Sequence, residues 1–286
     1  MNTPMTRALV LAAAAALAIA GAGCGGDDDD NGGAGGDQAA RPSRLAIELS
    51  GSAKKPTFDL PASVKGGVVE IELTSSVAGE HGAQLVRVEG GHSAKEALAA
   101  ADNWGGSGKG LPDWLFVAGG TPDVARGESV SVTQELEPGR YLVADVNTNA
   151  SAELEVTKGS GGGELPAAEG TITATEYAFE TDGLKAGRNA VLFDNAGHEP
   201  HFVVASALRP GRTIADAKRF FETEKGAPPI DESRSFSTAV VDGGVKQSVE
   251  LDLEAGRYVL LCFVPDRKGG PPHVAKGMIS EATVSE

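Results

Sequence analysis

Gly67, Ile71, Leu73, His81, Gly91 and Ser93 return 120 residues later as Gly187, Val191, Phe193, His201, Gly211 and Thr213, with no gap in the stretch. Farther on, Pro138-Gly139-Arg140-Tyr141 falls on Ala255-Gly256-Arg257-Tyr258 at an offset of 117, a three-residue difference of the kind a loop absorbs. Solenoid units run to roughly 20–50 residues, so a period of this size means two whole domains. The 286-residue length agrees. Between the copies, Lys158–Gly163 reads Lys-Gly-Ser-Gly-Gly-Gly, a linker by composition. The organisation expected is a domain over 45–158, a Gly-rich linker over 159–168 and a second domain over 169–286.

Each copy reads mainly as short strands. In the second, Ala190–Asp194, His201–Ser206, Ser248–Leu253, Arg257–Val264 and Met278–Val284 are rich in Val, Leu, Ile and Phe, and Gly, Pro and Asn punctuate them. Val249, Leu251 and Leu253 alternate with polar residues, the pattern of a strand buried on one face. Helical signal is confined to one place per copy. Thr213-Ile214-Ala215-Asp216 is a capping box ahead of an apolar face made by Ile214, Ala217, Phe220 and Phe221, and Ser93-Ala94-Lys95-Glu96 is its counterpart. The expected fold class is all-β, two tandem sandwiches each with a short helix in one long connection.

The N-terminus carries a different message. Residues 8–22 form an Ala-rich apolar run behind the single basic Arg7, too short for the ~20 apolar residues that a membrane span needs. The run ends in Gly21-Ala22-Gly23-Cys24, which resembles a bacterial lipobox, with Gly21 where Leu is usual. That resemblance implies a lipoprotein signal peptide over 1–23 and acylation of Cys24. Residues 25–38 are Gly and Asp apart from Asn31, Ala34 and Gln38, so a flexible acidic tether is expected over 24–44. The chain is then expected to be exported and held to the cell membrane by its lipid, outside the cytoplasm.

A net charge of −15 argues against nucleic acid as a partner. It permits a positively charged redox partner protein. There are two Cys in all. With Cys24 acylated, Cys262 is a lone thiol in an oxidising compartment, with no intramolecular disulfide available; it is either buried and inert or a ligand.

Three segments of the second copy bear on that choice: Asn195-Ala196-Gly197 before Pro200-His201, Gly256-Arg257-Tyr258 leading to Cys262, and Pro272-His273 followed by Gly277-Met278. An early His, then Cys, His and Met in that order with these neighbours, resembles the type 1 copper site of plastocyanin-like proteins, the cupredoxins. The resemblance covers about the last 115 residues. It implies cupredoxin-like Greek-key β-sandwiches and one copper in the second domain, with Cys262 as thiolate, His201 and His273 as imidazoles and Met278 as weak axial ligand. Soft sulfur suits the reduced ion and imidazole the oxidised one, so this set serves both states. The ten residues between Cys262 and His273 exceed the plastocyanin spacing and are comparable to copper nitrite reductases, whereas the four between His273 and Met278 agree with plastocyanin. Taken singly, each residue has an ordinary reading: Cys262 as a small core residue, His201 as a satisfied core or surface histidine, Met278 as packing. His198 competes with His201 for the first position; the repeat, which sets His81 opposite His201, favours His201.

The first copy has Asp145 where the second has Cys262, and no His or Met in 146–157. It reads as a metal-free copy of the fold, a spacer or a docking surface. Trp104 and Trp114 sit in its Gly-rich insert and fill a local core or form an interaction patch. The functional expectation is a membrane-anchored, one-electron copper carrier that is not an enzyme. The alternatives are copper delivery or storage, and a metal-free interaction module.

Overall fold

The computed structural model describes residues 41–148, 150–161 and 163–286; the expected signal peptide, Cys24 and nearly all of the tether lie outside them. Both halves are β-sandwiches. The first contains β1 (Ser43–Ser52), β2 (Lys55–Asp59), β3 (Ser63–Ser75), β4 (His81–Val88), α1 (Ala94–Ser107), β5 (Leu115–Val124), β6 (Ser129–Leu136), β7 (Gly139–Ala144) and β8 (Ser151–Gly161). The second contains β9 (Gly170–Thr175), β10 (Ala178–Asp182), β11 (Gly187–Asn195), β12 (Val204–Leu208), α2 (Ile214–Thr223), β13 (Ile230–Ser237), β14 (Lys246–Leu253), β15 (Gly256–Leu261) and β16 (Ile279–Val284).

Strand burial follows sequence alternation. In β1, Leu45, Ile47 and Leu49 are buried and Arg44, Ala46 and Glu48 are exposed. In β14, Val249, Leu251 and Leu253 point inward. Both helices begin with the capping boxes read above. The Ser93 and Thr213 hydroxyls accept from the N3 amides, and the Glu96 and Asp216 carboxylates accept from the cap amides. Positions matched by the repeat share backbone geometry. Gly67 and Gly187 have φ of 96° and 97°, and Tyr141 and Tyr258 both donate their hydroxyl to a carbonyl four residues upstream, at 2.8 and 2.9 Å. Such a tyrosine corner locks the turn into the strand that follows. β13 is the strand least visible in the sequence. As an edge strand, paired only with β12, it carries Asp231, Glu232, Ser233 and Arg234 instead of an apolar run.

The second sandwich faces sheet β10-β9-β11-β14 against sheet β13-β12-β15-β16, with Ile172, Phe193, Val249, Leu260 and Cys262 in the core between them. The two halves are in direct contact. β14 pairs with β6 through Val249 opposite Val132 and Gln247 opposite Gln134, so one sheet runs across both domains. At this seam two fully buried glutamines are bonded: Gln247 Nε2 donates to Gln134 Oε1 at 2.6 Å, which also accepts from the Gly120 amide at 2.9 Å. Gly119, at φ 83°, leaves room for them, because a Cβ there would overlap both side-chain amides. β8 continues as paired strand through Gly161, opposite Gly67, into the segment expected as linker.

Candidate metal centre

One end of the second sandwich gathers three of the four candidate ligands. Cys262 follows the last residue of β15. His201 is fixed ahead of β12 by a reciprocal backbone pair with Val241, at 3.0 and 2.9 Å. His273 opens a single 3-10 turn, His273–Lys276, that ends at Gly277 with φ 93°. The turn is tied back to the core: the Val274 amide donates to the Cys262 carbonyl at 2.7 Å, and the Met278 amide to the His273 carbonyl at 3.0 Å. The Pro-His and Gly-Met neighbours thus act mechanically, Pro272 setting the entry to the turn and Gly277 taking the left-handed conformation that closes it.

Cys262 Sγ lies 3.8 Å from His201 Nδ1 and 3.5 Å from His273 Nδ1, and the two nitrogens are 3.0 Å apart. All three residues are fully buried. A point equidistant from three atoms so spaced lies about 2 Å from each, close to ordinary metal–imidazole and metal–thiolate bond lengths. Met278 is fully buried in the same apolar cluster as Cys262. His198 is exposed and stands outside the group, its amide donating to Glu176.

The electrostatics match a set of donors gathered for an ion. Burial pushes the Cys262 thiol up to about 12. Burial, reinforced by the neighbouring His273, takes His201 down to about 4. Burial also lowers His273, against the pull of Asp266. Near neutral pH the thiol is therefore protonated and both imidazoles are neutral. The outer nitrogen of His273 donates to Asp266 Oδ1 at 3.0 Å, which turns its Nδ1 lone pair toward Cys262 and His201. His201 Nε2 is buried without a partner.

Asp266, Tyr177 and Lys276 complete the surroundings and were not singled out in the sequence. Asp266 accepts from His273, from the Tyr177 hydroxyl at 3.0 Å and from Lys276. Burial raises its pKa, but these donors outweigh that and hold the carboxyl below its usual range. The Tyr177 ring meets His273 edge-on at 5.2 Å, with the Lys276 ammonium 4.6 Å from the Tyr177 centroid. Tyr177 has φ 67°, one of two non-glycine residues with positive φ among those described. A strained residue whose ring and hydroxyl both face a candidate site is held there by the site's contacts. Asp266 and Lys276 lie inside the ligand-bearing segments and could have been suspected, whereas Tyr177 arrives from the β9–β10 turn with no local signal.

The matching position of the first domain is chemically closed. His81 Nδ1 is 2.8 Å from Asp145 Oδ2, and His81 Nε2 is 3.2 Å from the Ala78 carbonyl. Asp145 also accepts from Thr148 Oγ1 at 2.7 Å and from the Asn147 amide at 3.1 Å. Where the second domain sets two imidazoles and a thiol against one another, the first pairs its histidine with a carboxylate. Beside it, burial and then the nearby carboxylates push Asp123 up to about 6, against a hydrogen bond from Asn147. The folded chain therefore keeps a proton that the unfolded chain has lost, and stability falls as pH rises from about 4 to about 6. Asp123→Asn is expected to raise the melting temperature at pH 8 and to leave it unchanged at pH 4, read by thermal unfolding at both.

No family model matches the chain, and no curated protein matches it. Among solved structures it is similar to auracyanin A, described as a "blue" copper protein from Chloroflexus aurantiacus, at 22% identity over 40% of this chain and 99% of that one, with a TM-score of 0.28. Reduced auracyanin from Roseiflexus castenholzii matches at 20% identity over 41% of this chain and 95% of that one, with a TM-score of 0.26. Copper nitrite reductase from Nitrosomonas europaea matches at 12% identity over 84% of this chain and 93% of that one, with a TM-score of 0.23.

Proposed function

We propose that the chain is a membrane-anchored, extracytoplasmic copper protein that carries one electron at a time, with His201, Cys262, His273 and Met278 holding a single type 1 copper in the second domain. The observation that carries this reading is the buried His201–Cys262–His273 group, whose Nδ1 and Sγ atoms all lie within 4.8 Å of one another. Bound there, copper supplies reversible one-electron chemistry between its two oxidation states. The protein's own part is to hold the donors still and dry. Strand β15 fixes Cys262, the Val241 pairing fixes His201, and Asp266 fixes the tautomer and tilt of His273.

Two features support this reading. Among the described residues one group of three metal-binding side chains is drawn together, which suits a single copper. The donors are also fully buried, which suits retention better than hand-over. A lipid on Cys24 would place the carrier at the membrane; no helix among the described residues is long and apolar enough to cross one. A redox partner protein is the implied counterpart.

The test is a visible spectrum of the chain titrated with Cu(II), followed by cycles of reduction and reoxidation. The expected result is an intense thiolate-to-copper band saturating at one equivalent, bleached by reductant and restored by oxidant. Colourless protein that takes up no stoichiometric copper in either oxidation state would leave a tandem binding module instead.

A further inference from the structure

We infer that the N-terminal domain is an internal clamp, which grips the loop between Cys262 and His273 and so sets the His273 ring before any metal arrives. This rests on the metal reading above and assigns the metal-free domain a role in it. The ten loop residues from Phe263 to Pro272 contain no helix or strand. A stretch of that length and irregularity is ordered only if something outside it supplies partners.

The partners come largely from the other domain. The Trp104 indole of α1 donates to the Asp266 carbonyl at 2.8 Å. The Leu111 amide donates to the Arg267 carbonyl at 2.7 Å, and the Gly270 amide to the Gly108 carbonyl at 3.0 Å. The Arg267 guanidinium donates to the Leu115 carbonyl and pairs with Asp242 at 2.8 Å. Backbones approach so closely that a Cβ on Gly269 would fall onto the Gly108 carbonyl oxygen. The other ligand-bearing segment is backed in the same way. Val241, which pairs with His201, is flanked by Val240, whose carbonyl accepts from Gly119 of β5 at 3.0 Å, and by Asp242, whose carboxylate accepts from the Val117 amide at 3.0 Å.

The loop is thus held between the metal group and the first domain, and Asp266 is the joint. Its carboxylate bonds His273 Nε2 while its carbonyl is bonded by Trp104. Trp104 acts on the site through Asp266 and is a positioning residue. Loosening the clamp frees Asp266, and with it the ring orientation that aims the His273 Nδ1 lone pair.

Two variants of the full chain test this without touching a ligand. Trp104→Phe keeps an aromatic side chain and removes the donor; Gly269→Ala, at a position with φ 86°, forces the loop off Gly108. The first readout is hydrogen exchange in the metal-free protein, where the amides of 263–272 are expected to exchange at least tenfold faster in both variants, with β3 and β14 unchanged. The second is copper release to a chelator from the loaded protein, expected to accelerate about tenfold. Loop exchange at the wild-type rate in both variants overturns the clamp, as does acceleration spread evenly over the N-terminal domain. A wild-type chain that takes no copper sinks the carrier reading, and the exchange result then still decides the clamp by itself.

Discussion

From about pH 7 to about pH 9, the affinity of the chain for copper is expected to rise roughly a hundredfold, about tenfold per pH unit, because binding displaces one proton. The proton comes from Cys262, whose thiol burial pushes up to about 12, so the whole range lies below its titration and the fraction of thiolate grows tenfold with each unit. The imidazoles contribute nothing over this range. His201 titrates near 4 and the pKa of His273 is lowered as well, so both are neutral and ready as donors. At lower pH the slope steepens, because His273 and, near pH 4, His201 must then give up a proton too. Competition titrations against a chelator of known pH dependence measure the slope directly. A slope near zero would mean that the sulfur does not enter the metal's coordination.

The same numbers say something about the protein without metal. The second domain keeps a neutral thiol and two neutral imidazoles together in an apolar pocket, with His201 Nε2 lacking a partner. The internal bonds are few: sulfur–nitrogen contacts of 3.5 and 3.8 Å to a thiol are weak beside a carboxylate–imidazole pair, and the 3.0 Å approach of the two Nδ1 atoms is a bond only when one of them carries the proton. The pocket is held by what surrounds it: strands β12 and β15, the 3-10 turn, Asp266, and the seam with the first domain.

The parts of this arrangement legible in the sequence are those coded locally. Pro272-His273 and Gly277-Met278 bracket one turn, so their roles show in seven consecutive residues. Capping boxes at Ser93 and Thr213 and the tyrosine corners at Tyr141 and Tyr258 are likewise short-range devices. The repeat sets His81 opposite His201, not His198, and the structure buries His201 and exposes His198. What the sequence hid is long-range and polar. Gln134 and Gln247 carry no local sign of burial, yet both are fully buried, with Gln247 Nε2 donating to Gln134 Oε1 across a seam between domains. Trp104 was placed between local core and interaction patch; it is buried, and its indole reaches the other domain. Tyr177 gave no sign at all, since its position at φ 67° is unfavourable by any local rule and makes sense only beside His273, Asp266 and Lys276.

Alanine at the two matched positions, Cys262 and Asp145, is expected to have opposite consequences. Cys262→Ala removes one buried sulfur with no strong hydrogen bond of its own, so the metal-free chain should lose only about 1 kcal/mol of stability. Copper binding should suffer far more, with the visible band gone and affinity down on the order of a thousandfold or more, since the one thiolate donor is lost. Asp145→Ala removes no donor from the metal group and should leave the band and the copper stoichiometry as they were. It does strip His81 of its 2.8 Å partner in a buried pocket, together with the acceptor for Thr148 and Asn147. Breaking a buried pair on one side leaves the other group desolvated and unpaired, a loss of roughly 3–5 kcal/mol. Denaturant unfolding of both metal-free variants, beside copper titrations below the unfolding transition, separates the two effects. The physical difference is that the first domain filled this position with a bond complete in itself, whereas the second filled it with atoms that need a fourth. If Cys262→Ala unfolds as readily as Asp145→Ala and binds copper like the parent chain, Cys262 is a core residue and the metal centre is not there.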